Sequence, residues 1–173
     1  MTATTHVTTA DDLLAAPDLG PCELLRGKLV MMSPAGSEHG FIAANITARL
    51  ATFVRRRGLG AVFGAETGFQ IAHDPDTVRA PDVAFVRAER IGGRPGKDFF
   101  QGPPDLAVEV VSPSDRAGEV LAKVGDWLDA GCRAVWVVDP DSRTVLLYRG
   151  RSDVCSLAAD ATLDGMPVAD VFG

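Results

Sequence analysis

Glu109 and Lys123 are the first residues whose type and position suggest chemistry. Glu109 interrupts the apolar run 106–111, which has the composition and length of a strand buried on both faces. An isolated carboxylate in such a strand is costly, so Glu109 must be paired, protonated or bound to a metal. Lys123 lies beside Trp127 at the edge of the apolar stripe of the following helix, from where its ammonium can reach the strand end. Alone, Lys123 is most simply a surface lysine; together with Glu109 it favours a site.

A site for a divalent cation needs a second carboxylate, and Pro-Asp occurs twice, at Pro81-Asp82 and at Pro104-Asp105. Asp105 would lie about 13 Å from Glu109 along one strand. That is too far for both to reach one ion, whose ligands lie at about 2.1–2.5 Å. Asp82 opens a separate strand and comes within range if the two strands are neighbours. Asp82 and Glu109 are therefore the predicted metal pair, and a turn cap after Pro81 is the alternative role of Asp82.

The composition is that of a globular protein with one hydrophobic core. The chain has 173 residues, of which 46% are hydrophobic and 23% charged, as is typical of one domain. We expect an N-terminal tail with a short helix over residues 1–20 and a single domain over residues 21–173. The net charge of −6 argues against nonspecific binding to nucleic acid through overall electrostatics, and leaves a local basic patch open.

The cysteines indicate a cytoplasmic protein. Cys22, Cys132 and Cys155 are odd in number and lack CxxC spacing, so we expect reduced thiols. The three histidines show no zinc-like pairing with them. The chain has no basic leader followed by an apolar core and no apolar run long enough to span a bilayer, so we expect no signal peptide and no membrane association.

The rest of the chain predicts further strands and helices. A capping box of Thr9 and Asp12 predicts a short helix, and Arg26-Gly27 predicts the two-residue turn of a hairpin. Between residues 61 and 86 we predict three short strands, with residues 73–79 as a turn. The runs AVWVVD and TVLLYR predict two more strands after the central helix, which Gly131 ends.

A long helix is predicted after the hairpin. Ser33 or Ser37 would cap it, and His39 lies in its first turn. Three arginines, residues 55–57, close it. For this run we prefer helix termination to phosphate binding, because positive charge is favourable near a helix C-terminus.

Residues 87–104 are rich in Gly and Pro and predict a loop. A loop of this length is uncommon in a compact domain unless it acts as a lid or a binding surface. Several of its residues would suit an anionic, flat partner or a second subunit: Arg90, Arg94, Lys97, Phe99 and Phe100.

These motifs, in this order, resemble the Uma-two family. PDVAFV, PPDLAVEVVSPSD, EVLAKVGDWLDAG, AVWVVDP and TVLLYR match its pattern, and ELLRGKLVMMSPAGSEHG resembles its upstream motif. The match runs from Glu23 to Arg149. Members of this family are described as restriction endonucleases of the PD-(D/E)XK nuclease superfamily. The resemblance implies an α/β fold with a restriction-endonuclease-like central mixed β-sheet flanked by helices, an N-terminal hairpin, a divalent-metal site and a homodimer.

The resemblance also marks five candidate catalytic residues, which match the family's two acids, its lysine, its upstream acid and its histidine. In that order they are Asp82 and Glu109, Lys123, Glu23, and His39. The wider superfamily has its lysine two positions after the second acid, where this chain has Val111. Families of this kind can supply the lysine from the following helix, which is where Lys123 stands.

We therefore expect a metal-dependent phosphodiesterase, a nuclease that hydrolyses phosphodiester bonds of nucleic acid, with DNA the preferred candidate. Asp82 and Glu109 would hold Mg²⁺ or Mn²⁺. Lys123 would orient the attacking water or neutralise charge on the phosphoryl oxygens. Glu23 would complete the metal shell or hydrogen-bond the water. At a helix start, a histidine such as His39 packs and hydrogen-bonds more often than it catalyses.

Two other functions fit the same residues. One is a nuclease fold with a weak or silent site, used for binding or assembly, which the acidic charge and the lack of an obvious basic groove favour. The other is a hydrolase of a small phosphodiester. The sequence shows no target-recognition domain, so targeting by a partner protein is left open.

Overall fold

The structure, a computed structural model, describes residues 6–93 and 95–158. The helices are α1 (Ala10–Leu14), α2 (Ser37–Arg57), α3 (Ala88–Ile91) and α4 (Ala117–Asp129), with a 3₁₀ turn at Pro17–Leu19. The strands are β1 (Cys22–Leu25), β2 (Lys28–Met31), β3 (Gly60–Gly64), β4 (Phe69–Ala72), β5 (Thr77–Arg79), β6 (Val83–Arg87), β7 (Phe100–Gln101), β8 (Leu106–Val110), β9 (Ala134–Asp139), β10 (Thr144–Tyr148) and β11 (Val154–Ala158). Arg94 and the ends of the predicted segments 1–20 and 21–173, at residues 1–5 and 159–173, lie outside the described residues.

The strands form two mixed sheets. The larger has the order β11-β10-β9-β8-β6-β3 and the smaller β2-β1-β5-β4-β7. Each contains one parallel pair, β8 with β9 and β4 with β7. α4 is the crossover between the parallel strands β8 and β9, because two parallel strands need a long connection, usually a helix. The mixed sheet flanked by helices and the N-terminal hairpin are as predicted, and the hairpin belongs to the smaller sheet.

The centre of the larger sheet is β8, which is buried at all five positions. Leu50 of α2 packs in one hydrophobic cluster with Val108, and Trp127 of α4 packs in another with Ala107. The two helices therefore cover opposite faces. Because side chains alternate along a strand, Glu109 lies on the α4 face.

Local signals define the N-terminal elements well. Thr9 and Asp12 form the predicted capping box of α1. In the hairpin, Leu25 pairs with Lys28, and Arg26 and Gly27 adopt positive φ angles of 49° and 71°. Two positive φ angles are what a type I′ turn requires, so the predicted turn is confirmed.

Three local predictions are wrong. Residues 73–79 are not all turn, since Thr77–Arg79 form β5 and are all buried. The predicted loop 87–104 contains α3 and β7. α2 begins after Gly36 without a side-chain cap from Ser33 or Ser37. β5 is too short to show a periodic pattern, and its pairing with β1 and β4, which are distant in sequence, decides its structure.

Two side chains of this loop, those of Arg90 and Phe100, are used inside the molecule. The Arg90 guanidinium contacts Asp105 at 2.9 Å and lies over the Phe100 ring at 5.7 Å. Phe100 packs with Phe63 and Phe69. Arg90 and Phe100 are therefore not free for a partner, in contrast to the prediction.

The three cysteines are free thiols, as predicted. Among the described residues, no helix is long and apolar enough to cross a membrane.

Candidate active site

The candidate site lies where the chain crosses from the smaller sheet to the larger one. β5 ends at Arg79 and β6 begins at Val83, so residues 79–82 link the two sheets. This link contributes the side chains of Arg79 and Asp82, and the backbone N–H and carbonyl of Ala80. A short segment thus brings groups from both sheets to one place.

Asp82 and Glu109 lie on neighbouring strands. β6 and β8 are antiparallel, with Val83 opposite Val108. Continued by one residue, this register places Asp82 opposite Glu109, and opposed residues lie on the same face of a sheet. The charge of Asp82 raises the pKa of Glu109, after the larger effects of burial, which raises it, and of Lys123, which lowers it. The two carboxylates therefore lie on the same face of the sheet, on neighbouring strands.

Asp82 is held by one of its two oxygens. Its Oδ2 accepts a hydrogen bond of 2.7 Å from the backbone N–H of Val110 and lies 3.1 Å from Nε2 of His39. Its Oδ1 has no hydrogen-bond partner among the described residues. His39, from the first turn of α2, thus orients Asp82 and leaves one carboxylate oxygen available.

Glu109 is buried among polar partners, with 7% of its surface exposed. Its Oε1 accepts a 2.8 Å hydrogen bond from the Trp127 indole, and its Oε2 lies 2.9 Å from Nζ of Lys123. Burial raises the pKa of Glu109 from 4.5 to about 7, although the Lys123 ammonium and the Trp127 indole lower it. Glu109 therefore changes charge near neutral pH.

Lys123 is the cation at the centre of the site. Its Nζ lies 2.9 Å from Glu109 Oε2 and 3.3 Å from Glu23 Oε1, and donates a 3.1 Å hydrogen bond to the Ala80 carbonyl. Burial lowers the pKa of Lys123, but the charges of Glu109 and Glu23 outweigh this and raise the pKa above its ordinary value. Lys123 is thus a fixed positive charge and no candidate for a general base near pH 7.

Glu23, on β1, positions this lysine. Its Oε1 also accepts from the Ala80 N–H at 3.0 Å, and its Oε2 accepts from Arg79 at 2.6 Å. Both of its oxygens are therefore occupied. The structure brings together all five residues that the sequence marked. Glu23 contacts Lys123, Ala80 and Arg79, and this arrangement favours a positioning role for it.

Sequence reasoning missed two members of the cluster. Arg79 is 7% exposed and bridges Glu23 to Asp126 of α4, one turn from Lys123. It was hidden because its strand was predicted to be a turn. Trp127 was recognised only as part of an apolar stripe. The signal that could have identified Trp127 was its indole N–H donor, four residues after Lys123 on the same helix, because a buried indole N–H usually finds a hydrogen-bond partner.

The donor set can be tested against a divalent cation. Among the described residues, no group of three or more His, Cys, Asp and Glu side chains is arranged to hold a metal. Asp82 and Glu109 would supply two carboxylates, and Mg²⁺ commonly binds through one or two carboxylates and keeps several waters. The residues therefore fit a cation that completes its shell with water and substrate.

Comparison with known proteins agrees with this architecture. Residues 10–169 match the model of the Uma2 family, the Uma-two family named above, whose description is "Putative restriction endonuclease". No curated protein matches the chain. A solved structure from Anabaena variabilis ATCC 29413, described as a putative nuclease belonging to DUF820, is 22% identical, with a TM-score of 0.77 over 95% of this chain and 97% of that one.

At 22% identity, the structural similarity shows a shared fold. Together with the family match, it confirms the predicted restriction-endonuclease-like architecture. The family match covers nearly the whole chain, including each of the five predicted site residues. This chain is therefore a member of the Uma2 family.

Proposed function

We propose that this protein is a metal-dependent nuclease that hydrolyses phosphodiester bonds in nucleic acid, with DNA as the first candidate. One observation carries the proposal: Asp82, Glu109 and Lys123, from two adjacent strands and a helix, converge at the link between the sheets. The descriptions of the family and of the similar solved structure support the same reaction class.

In this proposal, Asp82 and Glu109 are the residues that would hold Mg²⁺ or Mn²⁺. When bound, the ion supplies Lewis acidity that polarises a phosphoryl oxygen and activates water. Val110 and His39 both contact Asp82 at Oδ2, which leaves Oδ1 available for the ion. Trp127 and Lys123 each contact one oxygen of Glu109 and so fix the orientation of its carboxylate.

Lys123 would stabilise the negative charge that grows on the phosphoryl oxygens during attack by water. A preorganised cation does this well because it needs no rearrangement at the moment of reaction. Glu23 and the Ala80 carbonyl hold the ammonium in place. His39 would maintain the orientation of Asp82 without transferring a proton.

The direct test uses plasmid, linear duplex and single-stranded DNA, with RNA alongside, in the presence of Mg²⁺ or Mn²⁺ and with chelator. We expect cleavage that the chelator abolishes and that Glu109→Gln and Asp82→Asn both lose while they keep the native circular dichroism spectrum. Cleavage that persists in both variants would refute the assignment.

The acidic net charge supports a second candidate, a nuclease fold with a silent site that serves binding or assembly. Calorimetry with Mn²⁺ separates the two, because a silent scaffold would bind no ion near neutral pH. The third candidate, a hydrolase of small phosphodiesters, predicts turnover of bis-p-nitrophenyl phosphate without cleavage of any nucleic acid.

The proposal also includes a homodimer and a cytoplasmic location. A homodimer is supported by the resemblance to restriction endonucleases, and light scattering of the purified protein tests it. A cytoplasmic location is supported by the three unpaired cysteines and is tested by fractionation of the producing cells.

A further inference from the structure

A cavity of about 330 Å³ lies next to the link between the sheets. Residues 79–82, including the proposed metal ligand Asp82, form one wall. The N-terminal segment between Leu13 and Cys22, Met32, the segment 65–68 and Phe99 form the others. The volume is that of a small-molecule site, and only the wall at residues 79–82 has a part in the proposed hydrolysis. A group attached to a phosphate at Asp82 would lie beside this cavity.

The walls of the cavity suit a planar ring. Leu14 and Met32 are large apolar side chains that keep 41% and 42% of their surface exposed. Phe99, another wall residue, is half-buried. Methionine and aromatic side chains make favourable contacts with π systems, and stacking on such residues is the usual way in which proteins hold an unpaired base.

Glu66 supplies a hydrogen-bond acceptor. It lines the cavity, is exposed, and has neither a hydrogen bond nor an ion pair with any described residue. Burial raises the pKa of the Cys22 thiol, and the charge of Glu66 raises it further. The negative charge of Glu66 therefore acts on Cys22, which also lines the cavity. Asp82 also lines the cavity, and Arg79, its lining cation, is already paired with Glu23 and Asp126. The cavity therefore disfavours an anionic group and favours a neutral group that donates hydrogen bonds.

We propose that this cavity binds an unpaired nucleobase adjacent to the phosphate that is cleaved, with Glu66 accepting a hydrogen bond from the base's exocyclic amino group. The position of the phosphate rests on the proposed function. Cytosine, adenine and guanine present such an amino group, and thymine does not. Because a base must leave the stack to enter a pocket of this kind, the preferred substrate is a single strand or a locally opened duplex.

Binding is tested first, without catalysis. Cytidine is titrated against the full-length protein in chelator, with wild type, Met32→Trp and Met31→Trp compared. Met31 is the matched control, since it is the adjacent residue, is 55% exposed and does not line the cavity. We expect Met32→Trp to fill the cavity and weaken cytidine binding at least tenfold, and Met31→Trp to bind as wild type does. No cytidine binding by wild type, or equal effects of the two variants, would overturn the inference.

Selectivity is tested next with Glu66→Gln, and with Glu89→Gln as the control at an exposed glutamate outside the cavity. We expect wild type to bind cytidine more tightly than thymidine and Glu66→Gln to reduce that ratio by about tenfold, because it replaces a hydrogen bond to a charged acceptor. An unchanged ratio would remove Glu66 from the site.

The p-nitrophenyl esters of cytidine 5′-phosphate and of methyl phosphate, assayed with Mn²⁺, separate this inference from the proposed function. We expect Met32→Trp to raise KM for the cytidine ester relative to the methyl ester. If wild type hydrolyses neither ester but binds cytidine in a manner sensitive to Met32→Trp, the cavity assignment stands and the hydrolase falls. If both esters are hydrolysed and Met32→Trp behaves as Met31→Trp does, the cavity assignment falls.

Discussion

The two ends of β8 each hold a buried acid, and the two acids have opposite surroundings. Asp105, just before the strand, accepts from the backbone N–H of Arg87 at 3.0 Å and contacts the guanidinium of Arg90 at 2.9 Å and that of Arg133 at 3.4 Å. Glu109, near the other end, has Lys123 as its cation and shares that lysine with Glu23. Asp105 therefore has more than one positive charge around it, whereas Glu109 has to share a single positive charge with a second carboxylate.

The difference shows which acid is structural and which is available for chemistry. A buried carboxylate surrounded by guanidinium groups is already neutralised, so a further cation would gain little there. The cluster of Glu109, Asp82 and Glu23 has too few cations. Burial, followed by the charge of Asp82, raises the pKa of Glu109 to about 7, although Lys123 lowers it. A bound divalent ion would supply the missing charge. The comparison therefore argues for metal binding at one end of the strand only.

The largest expected effect is on activity. Glu109→Gln should reduce metal-dependent cleavage by on the order of 10³-fold, since it removes a charged group that acts in the transition state. Asp105→Asn, assayed at low temperature where it remains folded, should keep its activity per folded molecule within a few-fold of wild type. Comparable losses in the two variants would mean that the two ends of β8 do not differ in function.

The second effect is on stability, where we expect the larger loss in the Asp105 variant instead of the Glu109 variant. Asp105→Asn should lower the free energy of unfolding by about 2–4 kcal/mol, because it leaves several arginines without their shared counter-charge. Urea denaturation at pH 8 measures it. Glu109→Gln should be as stable as wild type or more so at the same pH. A destabilisation of Glu109→Gln equal to that of Asp105→Asn would make Glu109 a structural residue.

The third effect is the pH dependence of stability. The pKa of Glu109 is raised by folding from 4.5 to about 7, so the folded state holds this proton more tightly than the unfolded state does. The free energy of unfolding therefore falls, through this group, as the pH rises from about 4.5 to about 7, by about 1–3 kcal/mol.

Glu109→Gln has no such proton. The stability of the variant relative to wild type should thus increase between pH 5 and pH 8, as urea midpoints at the two pH values would show. A difference that does not change with pH would mean that Glu109 has an ordinary pKa in the folded protein.

The smallest effect concerns Arg79. Its planar guanidinium joins Glu23 to Asp126, and a lysine keeps the charge but cannot form the same fork. We expect Arg79→Lys to lower kcat about tenfold with little change in KM, because Lys123 would lose part of its support. Asp126→Asn should lower kcat less. A larger effect on KM than on kcat would point to substrate contact by Arg79.

Much of the fold could be predicted because its signals are local. The capping box at Thr9 and Asp12, the Arg26-Gly27 turn and the apolar run of β8 each depend on a few adjacent residues. β5 could not be recognised, since three residues show no period. Its strand structure comes from pairing with β1 and β4, which no local pattern reports.

The candidate site divides in the same way. The sequence alone determined that Glu109 is an acid in a buried strand and that Lys123 follows on the next helix. Strand geometry excluded Asp105 as a partner for one shared ion, and Asp82 is the predicted partner. Only the tertiary structure decided which cations neutralise each acid. Arg79 reaches Glu23 and Asp126 because two sheets and a helix meet at residues 79–82. Charge balance in a buried site depends on neighbours in space, and these three groups are far apart in the chain.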